Sequence, residues 1–348
     1  MDSSGQLELG LDTFGDVTAD EAGRPLHHAQ VIRDVVAEAV LADELGVDSF
    51  GVGEHHRADF AISAPEVVLA AIAARTSRIR LGSAVTVLSS DDPVRVFQRF
   101  ATLDALSSGR AEVIVGRGSF TESFPLFGLP LDRYDELFED RLDLFAQLLE
   151  GGPIRWSGTT RSPLAGQHVY PSQEGDGFRA WVGVGGSHQS VIRAARYRLP
   201  LVLAIIGGDP LRFRPFVDLY HRAAEEMEVG PLPVAVHSPG HVADTDEQAL
   251  EELYPHWKAM RDRIGGERGW GPASPDEFRQ QAGPHGALCV GSPRTVASKI
   301  ASTAKGLGIA RFTMKYSAGT LPHPLMMGSI ERFATQVAPL VGELLAEG

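Results

Sequence analysis

The sequence predicts an α/β fold, a (β/α)8 TIM barrel with insertions at about 151–179 and 240–286, in which residues 1–348 form a single domain. Three observations predict it. Short apolar runs alternate with longer segments of helical spacing, which implies a parallel sheet with right-handed crossovers. Eight such runs occur, the strand number of that barrel. Three of them end in glycine-bearing turns that carry polar side chains, at Gly53, Gly116 and Gly185.

In order, Leu7 to Leu11 reads as the first strand, followed by a polar loop from Asp12 to Leu26. From Ala29 to Leu45, Val31, Ile32, Val35, Val36, Ala39 and Val40 recur at helical spacing, and Gly46 closes that helix. Val47 to Val52 is the second strand, and Pro65 opens a helix through Thr76. Ile79 to Leu88 is the third, Asp92-Pro93 starts the next helix, and Ala111 to Val115 is the fourth, bounded by Gly109 and Gly116. An amphipathic helix, Arg133 to Glu150, precedes the first insertion. Ala180 to Gly185, Leu201 to Ile206 and Pro233 to His237 are strands five to seven, with a helix from Ser187 to Arg198 and another begun by Asp209-Pro210. The second insertion holds a helix from Asp246 to Ile264 and a mobile segment, ERGWGPASPDE. Ser292-Pro293 opens a helix, Arg311 to Tyr316 is strand eight, and Ile330 to Leu345 is a closing helix.

Composition narrows the function. A net charge of −13 argues against nucleic acid and anionic membranes as partners. One cysteine, Cys289, leaves no internal disulfide framework and no cysteine-rich metal site. The start, MDSSGQLELG, lacks a signal-type apolar run, and no run reaches the ~18 residues of a membrane span, so a cytoplasmic protein is expected.

In such a barrel the C-terminal strand ends share the face where active sites sit, so three distant motifs converge. Gly53-Glu54-His55-His56 follows strand two. Histidine titrates near neutral pH and can pass a proton to or from a substrate; a metal pair or a structural histidine are the other readings. Gly116-Arg117-Gly118 follows strand four. The glycines admit close backbone approach and the guanidinium is a rigid donor fork, which suits a phosphate; an arginine pairing a surface carboxylate in a β-to-α turn fits equally. Gly183-Val184-Gly185-Gly186-Ser187 follows strand five and opens a helix. Amides and dipole there favour an anion, and the alternative is a tight turn capped by Ser187. The spacing is not G-x-G-x-x-G, which argues against a dinucleotide.

Together, VDSFGVGEHH (47–56), the run from Arg78 to Gly128 containing SAVTVLSSDDP and GRGSF, AWVGVGGSHQS (180–190) and VGSPRTVASKI (290–300) resemble the bacterial luciferase-like flavin-dependent oxidoreductases. The resemblance covers most of the chain and is strongest from Val47 to Gly128. It implies FMN as cofactor, with Arg117, Ser187, Ser190 and the Gly185 and Gly186 backbone around its phosphate. It implies a non-proline cis peptide at Ala84-Val85 under the flavin ring, and His55 as the catalytic group beside that ring. It also implies a homodimer. Gly116 replaces the reactive-site cysteine of luciferase, Phe120 a tyrosine, and Ile205 and Ile206 stand where tryptophans do, which argues against light emission and long-chain aldehydes.

The expected activity is therefore an FMN-dependent monooxygenase acting with O2 on a small organic substrate. No NAD(P)H fingerprint is visible, so a separate flavin reductase is the expected partner, and Trp270 would cover the ring from a lid. Alternatives are deazaflavin-dependent hydride transfer, a non-catalytic flavin-binding protein, and a metal-dependent hydrolase using His55, His56 and His237.

Overall fold

Inward and outward residues alternate along every strand, and that alternation builds the barrel. In the first strand Leu9 and Leu11 turn outward under the helices while Gly10 and Asp12 turn inward. The computed structural model describes residues 7–20, 22–175 and 177–347. Eight parallel strands close the sheet: β1 (Glu8–Thr13), β2 (Ser49–Val52), β3 (Arg80–Ser83), β4 (Ala111–Gly116), β5 (Arg179–Val184), β6 (Leu201–Ala204), β7 (Val234–Val242) and β8 (Arg311–Lys315). β8 pairs back onto β1 with Glu8 beside Arg311 and Asp12 beside Lys315. Helices such as His28–Glu44 and Pro93–Ser107 pack outside, the latter capped by the Asp92 side chain on the Val94 amide at 2.8 Å.

The interior is stacked in layers. At the N-terminal end Arg311, 3% exposed, bonds Glu112 at 2.6 and 3.0 Å and Glu8 at 2.7 Å. Burial opposes its charge, but the carboxylates outweigh burial and hold its pKa above the usual arginine value. Above it Trp181, Val202 and Ala235, with Ile114, plug the barrel. The top layer divides in two. Strands two to six supply small residues, including Gly51, Ala84, Gly116, Gly183 and Ala204; strands one, seven and eight supply Asp12, His237 and Lys315. Small residues on one wall and ionisable ones on the other make the mouth lopsided.

Several boundaries differ from the sequence reading. β1 continues through Asp12 and Thr13, each 1% exposed, because these polar residues belong to the mouth rather than to a loop. The third strand is interrupted: Leu81 and Gly82 pair with Ala111 and Glu112, whereas Thr86 and Val87 pair with Val115 and Gly116. Between them Ser83 Oγ accepts from the Ile114 amide at 3.3 Å and from Thr86 Oγ1 at 2.9 Å, so a side chain replaces the ladder. The first insertion is an antiparallel hairpin, Ile154–Trp156 with Leu164–Gln167, and β5 already includes Arg179. β7 runs to Val242, so the second insertion begins later than residue 240, and it holds two helices, Asp246–Glu267 and Pro275–Ala282. Ser274 caps the second by accepting from Glu277 N, which orders part of the segment expected to be mobile. The closing helix is two, His323–Arg332 and Ala338–Ala346, joined by a wide turn at Phe333–Val337 just before Pro339, which has no N–H to continue the ladder. Among the described residues no helix is long and apolar enough to cross a membrane.

Candidate active site

The small-residue wall is shaped around one dipeptide. The Ala84–Val85 peptide is cis, and both residues are half-buried at the mouth. Val85 lies over Gly116 and Gly183: a Cβ on Gly116 would come 2.8 Å from Val85 Cγ2, and one on Gly183 3.1 Å from Cγ1. Only glycine leaves room there. The segment is tied to the second strand and its end three times, by Ala84 N to Val52 O at 2.9 Å, by Glu54 N to Val85 O at 3.3 Å and by Val87 N to Glu54 Oε2 at 2.8 Å. Glu54, 8% exposed, also bonds His56 Nε2 at 2.9 Å. Glu54 and His56 thus hold the loop together, a task that the adjacent spacing in GEHH did not reveal.

The anion corner joins the ends of β4 and β5. Val115 pairs with Val182, so Arg117 leaves its strand beside the Gly185–Ser190 turn. Gly186 has φ +99°, a conformation side chains resist, and Ser187 caps the helix His188–Arg196 by accepting from Ser190 N at 3.3 Å. The two hydroxyls bond each other at 2.7 Å. Gly185 is exposed, with open space where its Cβ would stand. Arg117 itself bonds Asp135 and lies 5.0 Å over the Tyr134 ring, its side chain 40% exposed. The surface-carboxylate pairing raised by the sequence is therefore present. The helices that follow the two strands pack together, with Arg193 bonded to Glu139. Guanidinium, hydroxyls and helix-start amides suit a phosphate ester, and the Asp135 carboxylate bonded to Arg117 opposes it.

His55 occupies an aromatic box. Its ring centroid lies 4.3 Å from Phe60, 4.8 Å from Phe14 and 5.3 Å from Phe120. Loss of solvent pushes the imidazole pKa down to about 4 although the Asp16 carboxylate pulls the other way, so His55 is neutral at pH 7. Arg57 roofs the box, 4.5 Å over Phe120, held by Asp59 at 3.0 Å, by Glu267 at 2.6 and 2.9 Å, and by Glu122. A cavity of about 590 Å3 opens beside this roof, lined by Arg57, His56, Glu122, Arg263, Glu267 and Thr320 among others. Trp270, expected over the mouth, is stacked on Arg261 at 4.5 Å and on Arg268 at 5.4 Å and is 45% exposed, and Arg268 in turn lies 5.4 Å over the Phe120 ring. Ile205 is buried and Ile206 exposed.

On the opposite wall Asp12, Asp16 and Lys315 were missed from sequence, and His237 was read there as a candidate metal ligand. Lys315 Nζ bonds Asp16 at 2.9 Å and lies 4.6 Å from the Phe14 ring centre. Burial opposes ionisation of Asp16, but Lys315, Ser317 and the Gly319 amide outweigh it and hold that carboxyl below its usual range. His237 Nδ1 lies 2.6 Å from Asp12 Oδ2. The three histidines of the metal reading therefore go to different partners: an aromatic box, Glu54 and Asp12. Among the described residues no cluster of three or more His, Cys, Asp or Glu is arranged to hold a metal ion.

Comparison with known proteins follows the same lines. A family model described as luciferase-like monooxygenase matches residues 13–311. The 4-hydroxyprotoasukamycin monooxygenase of Streptomyces nodosus subsp. asukaensis is 40% identical over 231 residues, 63% of this chain and 61% of that one. The matches to the first curated relatives span only 40 to 61% of those relatives' length. Among solved structures, the oxygenating constituent of 3,6-diketocamphane monooxygenase from a Pseudomonas putida plasmid, in complex with FMN, superposes with TM-score 0.75 at 20% identity, covering 97% of this chain and 99% of that one. An F420-dependent secondary alcohol dehydrogenase in complex with an F420–acetone adduct also gives 0.75, at 17% identity with the same coverage. These two likenesses are of fold.

Proposed function

Because the chain belongs to the luciferase-like monooxygenase family, we propose that it is a flavin-dependent oxidoreductase, an FMN-dependent monooxygenase acting with O2 on a small organic substrate. In this reading the whole chain works as one cytoplasmic barrel domain, and a separate reductase supplies reduced FMN. The observation that supports it is the β4–β5 pairing of Val115 with Val182, the strand ends from which Arg117 and the Gly185–Ser190 turn continue. Reduced FMN, when bound, supplies the electrons that activate O2.

The chain's own residues bind, orient and shield. Arg117, Ser187, Ser190 and the Gly185 and Gly186 amides would hold the phosphate, each charge-assisted bond contributing ~1.5–3 kcal/mol. Ala84 and Val85 would form the shelf for the ring. His55 would face that ring as a neutral imidazole that donates or accepts one hydrogen bond. Phe14, Phe60, Phe120 and the Arg57 roof keep water from it. Titration with FMN and with deazaflavin, oxidised and reduced, tests the reading, and failure of every flavin to bind removes it.

A second reading, hydride transfer with a deazaflavin, is favoured by the equal likeness to the F420-dependent dehydrogenase. Oxygen-dependent turnover separates the two. A homodimer is supported by the exposed apolar residues Val67, Leu106 and Tyr170, which flank a groove at Pro65–Ala73 and Pro93–Ser107; sedimentation that returns a monomer removes it.

A further inference from the structure

The Asp12–His237 pair has no task in the flavin reading. His237 has the strand parity of Ala235, so its ring enters the barrel at the top layer. Its Nδ1 lies 2.6 Å from Asp12 Oδ2, and both residues are buried. An ionised carboxylate only accepts, so Nδ1 carries the hydrogen and Nε2 presents a lone pair. Among the described residues Nε2 has no hydrogen-bond partner and is not walled off. Asp12 Oδ1 is buried without a partner, which leaves carboxylate charge available to the ring. The other charged groups nearby are committed elsewhere: Lys315 and Asp16 to each other and to Ser317. His55 stands across Phe14, which is parallel to the His237 ring at 5.9 Å and tilted on His55 at 4.8 Å. A carboxylate-backed acceptor nitrogen thus faces the mouth beside the Phe14 ring.

We propose that Asp12 and His237 form a proton-accepting dyad for the substrate, and that the substrate class is a flat hydroxyaromatic compound, a phenol, whose O–H donates to Nε2. The proposal rests on the flavin reading for the oxidation and on the dyad alone for the proton. In the step assigned to the dyad the O–H bond breaks, an N–H bond forms at Nε2, and the electron pair stays on the phenol oxygen. The imidazolium is balanced by Asp12, and nothing is oxidised or reduced. A phenol ionises near pH ~10, low enough among O–H groups for a hydrogen-bonded base to take its proton. The Phe14 ring, parallel to that of His237 at 5.9 Å, favours a flat ring over a thiol or an aliphatic chain. The ionised ring is electron-rich and ready to take an oxygen atom.

The probe is 4-nitrophenol, whose phenol and phenolate absorb differently, bound to the folded protein with and without FMN. The expected result is a phenolate-to-phenol ratio for bound probe at least about tenfold above that of free probe at the same pH, one pKa unit of stabilisation. His237→Gln returns the ratio to the free value while the probe still binds. Asp12→Asn lowers the ratio and, by nitrogen-detected NMR of the histidines, removes the Nδ1–H tautomer of His237; that measurement decides if His237→Gln does not fold. An equal ratio in wild type and folded His237→Gln, or no probe binding to FMN-loaded protein, overturns the proposal. If FMN binds and the ratio is not raised, the dyad falls alone; if no flavin binds but the ratio is raised, the flavin reading falls and the dyad stands.

Discussion

Glu54 accepts a 2.8 Å hydrogen bond from the Val87 amide, so a carboxylate at the end of β2 holds the chain that follows β3. Its second oxygen takes His56 at 2.9 Å. Glu54→Ala leaves a buried N–H without a partner and should cost about 1.5–3 kcal/mol of stability. Glu54→Gln, which keeps an acceptor oxygen, should lose less. Urea midpoints of the two variants check this, and equal losses would contradict it.

Arg117 pairs with Asp135, and in the flavin reading it also serves the phosphate. Arg117→Ala should weaken FMN binding at least about tenfold, the value of one charge-assisted bond. Asp135→Asn, which releases the guanidinium and removes a repelling charge, should tighten it, more at low salt than at high. Flavin fluorescence titrations at two ionic strengths read both. Unchanged affinity in Arg117→Ala would take the phosphate from this corner.

His55 carries a pH signature. Its folded pKa is down at about 4 from 6.5, so between those values the unfolded chain binds the proton and the folded chain does not. Stability therefore falls as pH drops from 6.5 towards 4, and His55→Phe should lose that portion of the fall. Chemical denaturation of both proteins across that window measures the difference. Parallel curves would mean that the imidazole is not desolvated. In turnover, His55→Ala should lower the rate more than it lowers FMN affinity, and the reverse pattern would make His55 a packing residue.

Gly116 is a steric requirement. Gly116→Ala places a methyl 2.8 Å from Val85 Cγ2. Overpacking of this kind costs about 1–3 kcal/mol, and it displaces the shelf proposed for the ring. Melting temperature and FMN affinity should fall together. A stable variant with unaltered affinity would show that Val85 does not support the ring.

The amino-acid order alone was enough for the barrel, because eight apolar runs and their helices follow from period and length, and these are local properties. It also made neighbours of the strands that end before Arg117 and before the Gly185–Ser187 turn, since consecutive parallel strands pair in such a fold. Capping residues such as Asp92 and Ser292 were legible for the same reason: each acts within three residues of itself. Tertiary structure decided the rest. Asp12 read as loop because it is polar, yet it is buried against His237, 225 positions away, and no periodicity carries a contact of that range. Glu54 stood in the Gly53-Glu54-His55-His56 motif with no role assigned, and only the fold supplied the Val87 amide that occupies it. Whether Arg117 meets a carboxylate was equally undecided along the chain, because Asp135 reaches it only once the helix that follows is packed.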